Sequence, residues 1–102
     1  MTAYTTYYAG ETYKCQTSVY NEGTLVDPES ITCEILDPAG NSKDSGDMTK
    51  VSVGVYNYKY DLDDDASLGK WTAVLTATDS SGDVEIERIE FLVDSKQGTT
   101  IE

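Results

Sequence analysis

The densest group of reactive side chains in the sequence is Asp61, Asp63, Asp64 and Asp65, and carboxylates this close together could hold a Ca²⁺ ion. Their D-x-D-x-D spacing begins like a calcium-binding loop. Ala66, however, stands where that loop needs glycine for its sharp turn, and Thr72 where it needs a bidentate glutamate, so the match fails. The stretch reads instead as a solvent-facing link. There is no histidine anywhere, which excludes Ser-His-Asp and Cys-His sites and removes the usual proton shuttle near neutral pH. An acidic pair such as Asp64 and Glu85 could in principle cleave a glycosidic bond. Yet no acid is embedded in an apolar surround that would raise its pKa, and a chain this short leaves little room for the cleft. With no glycine-rich phosphate loop either, the expectation is no catalytic residue, no cofactor and no metal.

Two thiols remain. Cys15 and Cys33 both fall on the apolar phase of extended segments, so if those segments belong to opposite sheets the sulfurs can meet across a core. A bond between them would close a loop of 17 intervening residues and contribute about 3 kcal/mol. Without an export signal the favoured state is a pair of buried free thiols.

The segments that place these groups are strands. Tyr56, Tyr58, Tyr60 and Leu62 recur at every second position, as do Trp71, Ala73, Leu75 and Ala77 after Gly69, so each set lines one face of an extended chain. The tyrosine stripe could serve as a platform for a sugar or a protein, but its period and its place before a tryptophan-bearing strand favour packing, with hydroxyls reaching the rim. Upstream, Tyr4, Thr6 and Tyr8 suggest a short first strand. Tyr13, Cys15 and Val19 point inward from a second, which Asn21-Glu22-Gly23 closes, and Ile31, Cys33 and Ile35 from a third, which ends at Asp37-Pro38-Ala39-Gly40. Ser42 to Asp47 is polar and reads as a loop or weak edge strand. The apolar phase shifts between Val53 and Tyr56, which predicts a bulge or turn at Gly54. In the last strand, about Val84 to Val93, Val84 and Ile86 are out of phase with Ile89, Phe91 and Val93, which predicts a second bulge near Glu87-Arg88. Residues 94–102 read as a polar, flexible tail behind one domain spanning 1–93.

About seven short strands, with turn residues every 8–12 positions and no helical periodicity, specify an all-β, antiparallel β-sandwich. The predicted core is Tyr13, Cys15, Val19, Ile31, Cys33, Ile35, Tyr58, Leu62, Trp71, Ala73, Leu75, Ile89, Phe91 and Val93. A chain of 102 residues buries roughly 60–70% of its unfolded surface, enough for one apolar core. Nineteen acidic against seven basic residues give a net charge of −12, which repels phosphate backbones and anionic membranes. No apolar run approaches the roughly 20 residues of a membrane helix, so neither nucleic-acid binding nor membrane insertion is expected.

Tyr8-x-Gly10-Glu11-Thr12, Val26-Asp27-Pro28, Ile35-Leu36-Asp37-Pro38-x-Gly40, Gly54-Val55-Tyr56-x-Tyr58-x-Tyr60-x-Leu62 and Leu68-Gly69-x-Trp71 together resemble two groups of immunoglobulin-like sandwiches. One is the macroglobulin-like domain of alpha-macroglobulins, and the other a set of small immunoglobulin-like proteins of tailed-phage virions. The resemblance spans about residues 7 to 93 and implies the fold more specifically than the task. Met1 standing a few residues before the first motif, with no signal peptide, favours the virion group. That reading implies a non-catalytic protein made in the host cytoplasm and carried in the virion as a capsid decoration, neck or tail component. It would bind a larger structural protein and could self-associate on the particle. The alternative is a module of a bacterial cell-surface or secreted protein, serving adhesion, carbohydrate binding or spacing. Tyr4, Tyr7 and Tyr20, near strand ends or on outward faces, are the candidate partner contacts.

Overall fold

In a computed structural model, which describes residues 4–95, the chain forms ten strands and no helix among those residues. They are β1 (Thr5–Tyr8), β2 (Thr12–Ser18), β3 (Tyr20–Asn21), β4 (Thr24–Leu25), β5 (Ser30–Leu36), β6 (Ser42–Asp47), β7 (Thr49–Ser52), β8 (Val55–Asp61), β9 (Gly69–Thr78) and β10 (Val84–Asp94). One sheet runs β1-β10-β9-β5-β6 and the other β2-β8-β7, with β3 and β4 forming a small separate ladder. The architecture is the expected immunoglobulin-like sandwich. Its pairing is antiparallel throughout except that β1 lies parallel to β10, Thr5 beside Phe91 and Tyr8 beside Asp94. Of the predicted tail, 94–102, Asp94 instead closes β10 opposite Tyr8, because β1 pairs with the strand to its end, and residues 96–102 lie outside the described residues.

Alternation decides what is buried. On the inner face of the larger sheet, cross-strand neighbours form layers: Ile35, Ala73 and Ile89 in one, Cys33 and Leu75 in the next, with Trp71 opposite Phe91 toward the end. The smaller sheet supplies Tyr13, Cys15 and Tyr56, and Leu62 adds to the core directly after β8. Phe91 stacks on Tyr13 with ring centroids 3.8 Å apart, and Trp71 lies 6.1 Å from Phe91 and 6.3 Å from Tyr60. Aromatic pairs in such contact are worth about 0.5–1.5 kcal/mol beyond the area they bury. Of the predicted core, Val19, Tyr58 and Ile89 are half-buried and flank the cluster. Tyr56, on the face the alternation assigned to packing, is buried although absent from the predicted core, and so are Met48 and Ala9, which no alternation singles out.

Tyr13 carries the one unpartnered buried side-chain oxygen among the described residues. Burial raises its pKa, and the neighbouring Cys15 adds to the rise. A hydroxyl that loses water and gains no good acceptor is a cost that phenylalanine does not have. Tyr13→Phe is therefore expected to leave stability unchanged or raise it by up to about 1 kcal/mol, read from urea midpoints.

Two turns follow the expected chemistry. Asp37 Oδ1 accepts from the Ala39 and Asn41 amides at 3.0 and 2.9 Å, and Asp79 Oδ1 from those of Ser81 and Asp83 at 2.8 and 2.9 Å. At Gly54 the predicted irregularity is present: a turn with φ of +74° links β7 to β8, and their register shifts between Lys50 and Ser52.

The second predicted bulge is absent. β10 pairs with β9 without a break from Val84 opposite Thr78 to Val93 opposite Gly69. The unbroken ladder keeps every backbone bond and sends Val84 and Ile86 outward, while Glu85 and Glu87 take the inner phase beside Ala77 and Leu75. Those glutamates are tolerated there because the sandwich is open at that end, where Thr17 Oγ1 donates to Glu87 Oε1 at 2.9 Å.

Candidate interaction site

The acidic stretch does not converge. Asp61 is held by Thr12, whose hydroxyl donates to Oδ1 at 2.7 Å, whereas Asp63, Asp64 and Asp65 form an exposed turn. In that turn the Asp63 carbonyl accepts from the Gly10 and Ala66 amides at 3.1 and 3.0 Å. Among the described residues no group of three or more histidine, cysteine, aspartate or glutamate side chains is placed to hold a metal.

The tyrosine stripe turns inward and ends in hydrogen bonds to carboxylates. The Tyr58 hydroxyl donates to Asp44 Oδ2 at 2.7 Å, reaching from β8 to β6 in the opposite sheet, and that of Tyr56 donates to Asp27 Oδ1 at 3.1 Å. Burial first, then the carboxylate, raises both phenol pKa values. Asp27 also accepts from the Gly54 amide at 2.9 Å and pairs with Lys50 at 2.7 Å. It thus ties the β4–β5 connection to the β7–β8 hairpin. The Lys50 ammonium, then the Gly54 amide, hold its carboxyl below the usual 3.8. A depressed folded pKa means stabilisation that is complete above the unfolded value and fades as pH falls through the folded one. The gap in urea midpoint between wild type and Asp27→Asn is therefore expected to be widest near neutral pH and to narrow below about pH 4, measured from about pH 7 down to about pH 2.5.

Cys15 of β2 and Cys33 of β5 are free thiols in opposite sheets, both buried. They are neighbours across the core: Cys15, then burial, pushes the Cys33 thiol up, and Cys33 pulls that of Cys15 down against its burial.

Of the three tyrosines proposed as partner contacts, Tyr7 is taken up by the fold. Its ring meets Tyr13 and Phe91 edge-on at 5.0 and 5.7 Å, and its hydroxyl donates to the Lys14 carbonyl at 3.2 Å. Pairing of β1 with β10 places position 7, opposite Val93, on the inner phase. Tyr4 and Tyr20 are exposed, Tyr20 by 62%, and the structure does not bring them together in one site. Tyr20 stands instead at the open end of the sandwich. There, with Val19, it flanks a cleft of about 350 Å³ whose other wall carries Ala77, Glu85 and Glu87. A second hollow of about 250 Å³ continues past Tyr20 to Asp27, Asp79 and Asp83. The sequence signal for this site was the out-of-phase pair Val84 and Ile86, read as a bulge rather than as an exposed strand.

No family model matches the chain, and no curated protein matches it by sequence. Solved structures do resemble it. A Salmonella alpha-2-macroglobulin mutant superposes with a TM-score of 0.77 at 20% identity over 93% of this chain. Escherichia coli alpha-2-macroglobulin activated by porcine elastase gives 0.72 at 22% over 88%. The chain spans only 6% and 8% of those two proteins. CopC from Methylosinus trichosporium OB3b gives 0.59 at 18%, covering 97% of this chain and 91% of its own. At such identities the likeness establishes the fold: a sandwich of the kind found within alpha-2-macroglobulins.

Proposed function

We propose that this chain is a non-catalytic immunoglobulin-like module of a cell-surface or secreted protein, acting as a spacer or adhesive unit rather than as a virion component. The observation that carries this reading is its likeness to single segments of far longer alpha-2-macroglobulin chains, of which it spans under a tenth. In those proteins a sandwich of this size is one part among many, and the same fold serves unrelated tasks elsewhere. The lack of histidine and the dispersal of the acidic residues support a role without chemistry. The sandwich itself suits spacing, because its two sheets share one apolar core and the unit resists deformation as a block.

Fractionation of source cells with an antibody raised against the chain tests this reading. A band well above 11.2 kDa in the surface or secreted fraction is the expected result. A band at 11.2 kDa that sediments stoichiometrically with virus particles overturns it in favour of the virion reading.

A further inference from the structure

The geometry points to the outer edge of β10, from Val84 to Glu90, as a docking edge for an extended basic segment of a partner protein, which would add to the larger sheet as a sixth strand. The inference is independent of whether the module stands alone or in a longer chain.

The backbone is the first argument. β1 covers the outer edge of β10 only from Phe91 to Asp94, and among the described residues no strand other than β9, on the opposite edge, pairs with the seven residues before them. Exposed edges are ordinarily blunted by lysine, proline, a bulge or a covering loop. The stretch Val84-Glu85-Ile86-Glu87-Arg88-Ile89-Glu90 has no lysine and no proline, and its ladder to β9 runs without a shift. An unpaired straight edge offers main-chain donors and acceptors in the spacing that an added strand uses.

Side chains define the occupant. On the outer face Val84 and Ile86 are 54% and 58% exposed, so alternate apolar residues of an added strand would find cover there. On the other face Glu85 and Glu87 line the cleft over an apolar floor of Ile31, Leu75 and Ala77. Glu85 and Glu87 carry that face, Arg88 falls on the other, and Glu90 is already paired with Lys70 at 3.0 Å; on a chain of net charge −12, those two acids select lysine or arginine at the intervening positions. A second copy of the chain fits poorly. Two-fold antiparallel pairing centred on Ile86 sets Glu85 against Glu87, and centring on Glu87 sets that residue against itself, both like-charge contacts. The acids thus do the blunting that lysine does elsewhere: they repel copies of this chain while leaving the edge open to a cationic strand.

The test uses the intact chain and three synthetic peptides of about nine residues: alternating lysine and valine, its glutamate-for-lysine counterpart, and the lysine peptide N-methylated at every second amide. Affinity is read by fluorescence anisotropy and location by amide hydrogen exchange. The lysine peptide is expected to bind saturably and to slow exchange within Val84–Glu90. N-methylation, which removes the strand bonds but not the charge, is expected to weaken it at least about tenfold. Glu85→Lys, and separately Glu85→Lys with Glu87→Lys, checked for unchanged far-ultraviolet dichroism, are expected to weaken the lysine peptide. For the double variant the loss should be about tenfold, with the preference shifted toward the glutamate peptide. The proposal is overturned by no binding, by equal binding of the N-methylated peptide, by protection elsewhere on the surface, or by self-association that protects the same edge.

Discussion

Replacing Trp71 by alanine is expected to lower the unfolding free energy by about 3–5 kcal/mol, a large fraction of the roughly 5–15 kcal/mol a domain of this size has. Trp71 is 1% exposed and among the largest fully buried side chains. It stands opposite Phe91 in the β9–β10 ladder and faces Tyr60 from the other sheet, so its removal opens a cavity that both sheets border. Neither strand can close the gap without breaking pairing, which is why collapse should recover little of the loss. The indole also donates from Nε1 to the Ser67 carbonyl at 2.8 Å, fastening the end of the acidic link to β9. Trp71→Phe separates the two contributions: it keeps most of the ring and loses the hydrogen bond. Because the Ser67 carbonyl lies on an exposed residue where water can replace the indole, the phenylalanine variant should retain well over half of what alanine loses. Urea titrations followed by far-ultraviolet dichroism decide this; an alanine variant within about 1 kcal/mol of wild type would mean that the ring is not central to the core.

How much of this could be read from the sequence depends on how local the cause was. Ile31, Cys33 and Ile35, or Trp71, Ala73 and Leu75, are buried because alternation on one strand suffices to fix a face, and these were legible at once. Val84 and Ile86 carry the same signal and were misread, because the phase of β10 is set by ten consecutive pairs with β9 and not by its own apolar residues. Tyr7 was misplaced for a similar reason. Its inward position follows from parallel pairing with residues more than eighty positions away. The polar strand β6 looks formless in isolation, yet Asp44 receives the Tyr58 hydroxyl, and the bare backbone of Gly46 lies against the same ring. Asp27 stands in the Val26-Asp27-Pro28 motif, but nothing local shows what it holds, since its partners Lys50, Gly54 and Tyr56 lie 23 to 29 residues along the chain. The interaction edge was hidden by the same nonlocality: a free edge is a property of which strands meet, and composition reports only that the edge is acidic.

Gly54 is where that nonlocality is most concentrated, and Gly54→Ala is expected to destabilise by about 2–4 kcal/mol. Two separate causes act at this position. Its φ of +74° lies in the left-handed region, where a Cβ costs about 1–2 kcal/mol. In addition, the Cβ would sit 2.9 Å from Leu25 Cβ and 3.0 Å from the Val26 amide nitrogen, and neither is the end of a flexible chain that could swing aside. The backbone there is already committed. The Val19 amide donates to the Gly54 carbonyl at 2.7 Å, the Val26 amide to the Val19 carbonyl at 3.0 Å, and the Gly54 amide to Asp27 at 2.9 Å. A shift of a few tenths of an ångström therefore strains three segments together. Gly82 provides the comparison, for its φ is +89° and nothing lies within 4 Å of an added Cβ. Gly82→Ala should show only the backbone cost, about 1–2 kcal/mol, so the difference between the two variants measures the packing at Gly54 alone. If the two lose the same amount, the clamp around Gly54 yields freely. If Gly54→Ala loses more and the Val19 and Val26 amides exchange faster, then the wall that carries Tyr20 beside the cleft is held in place by a turn some thirty residues downstream.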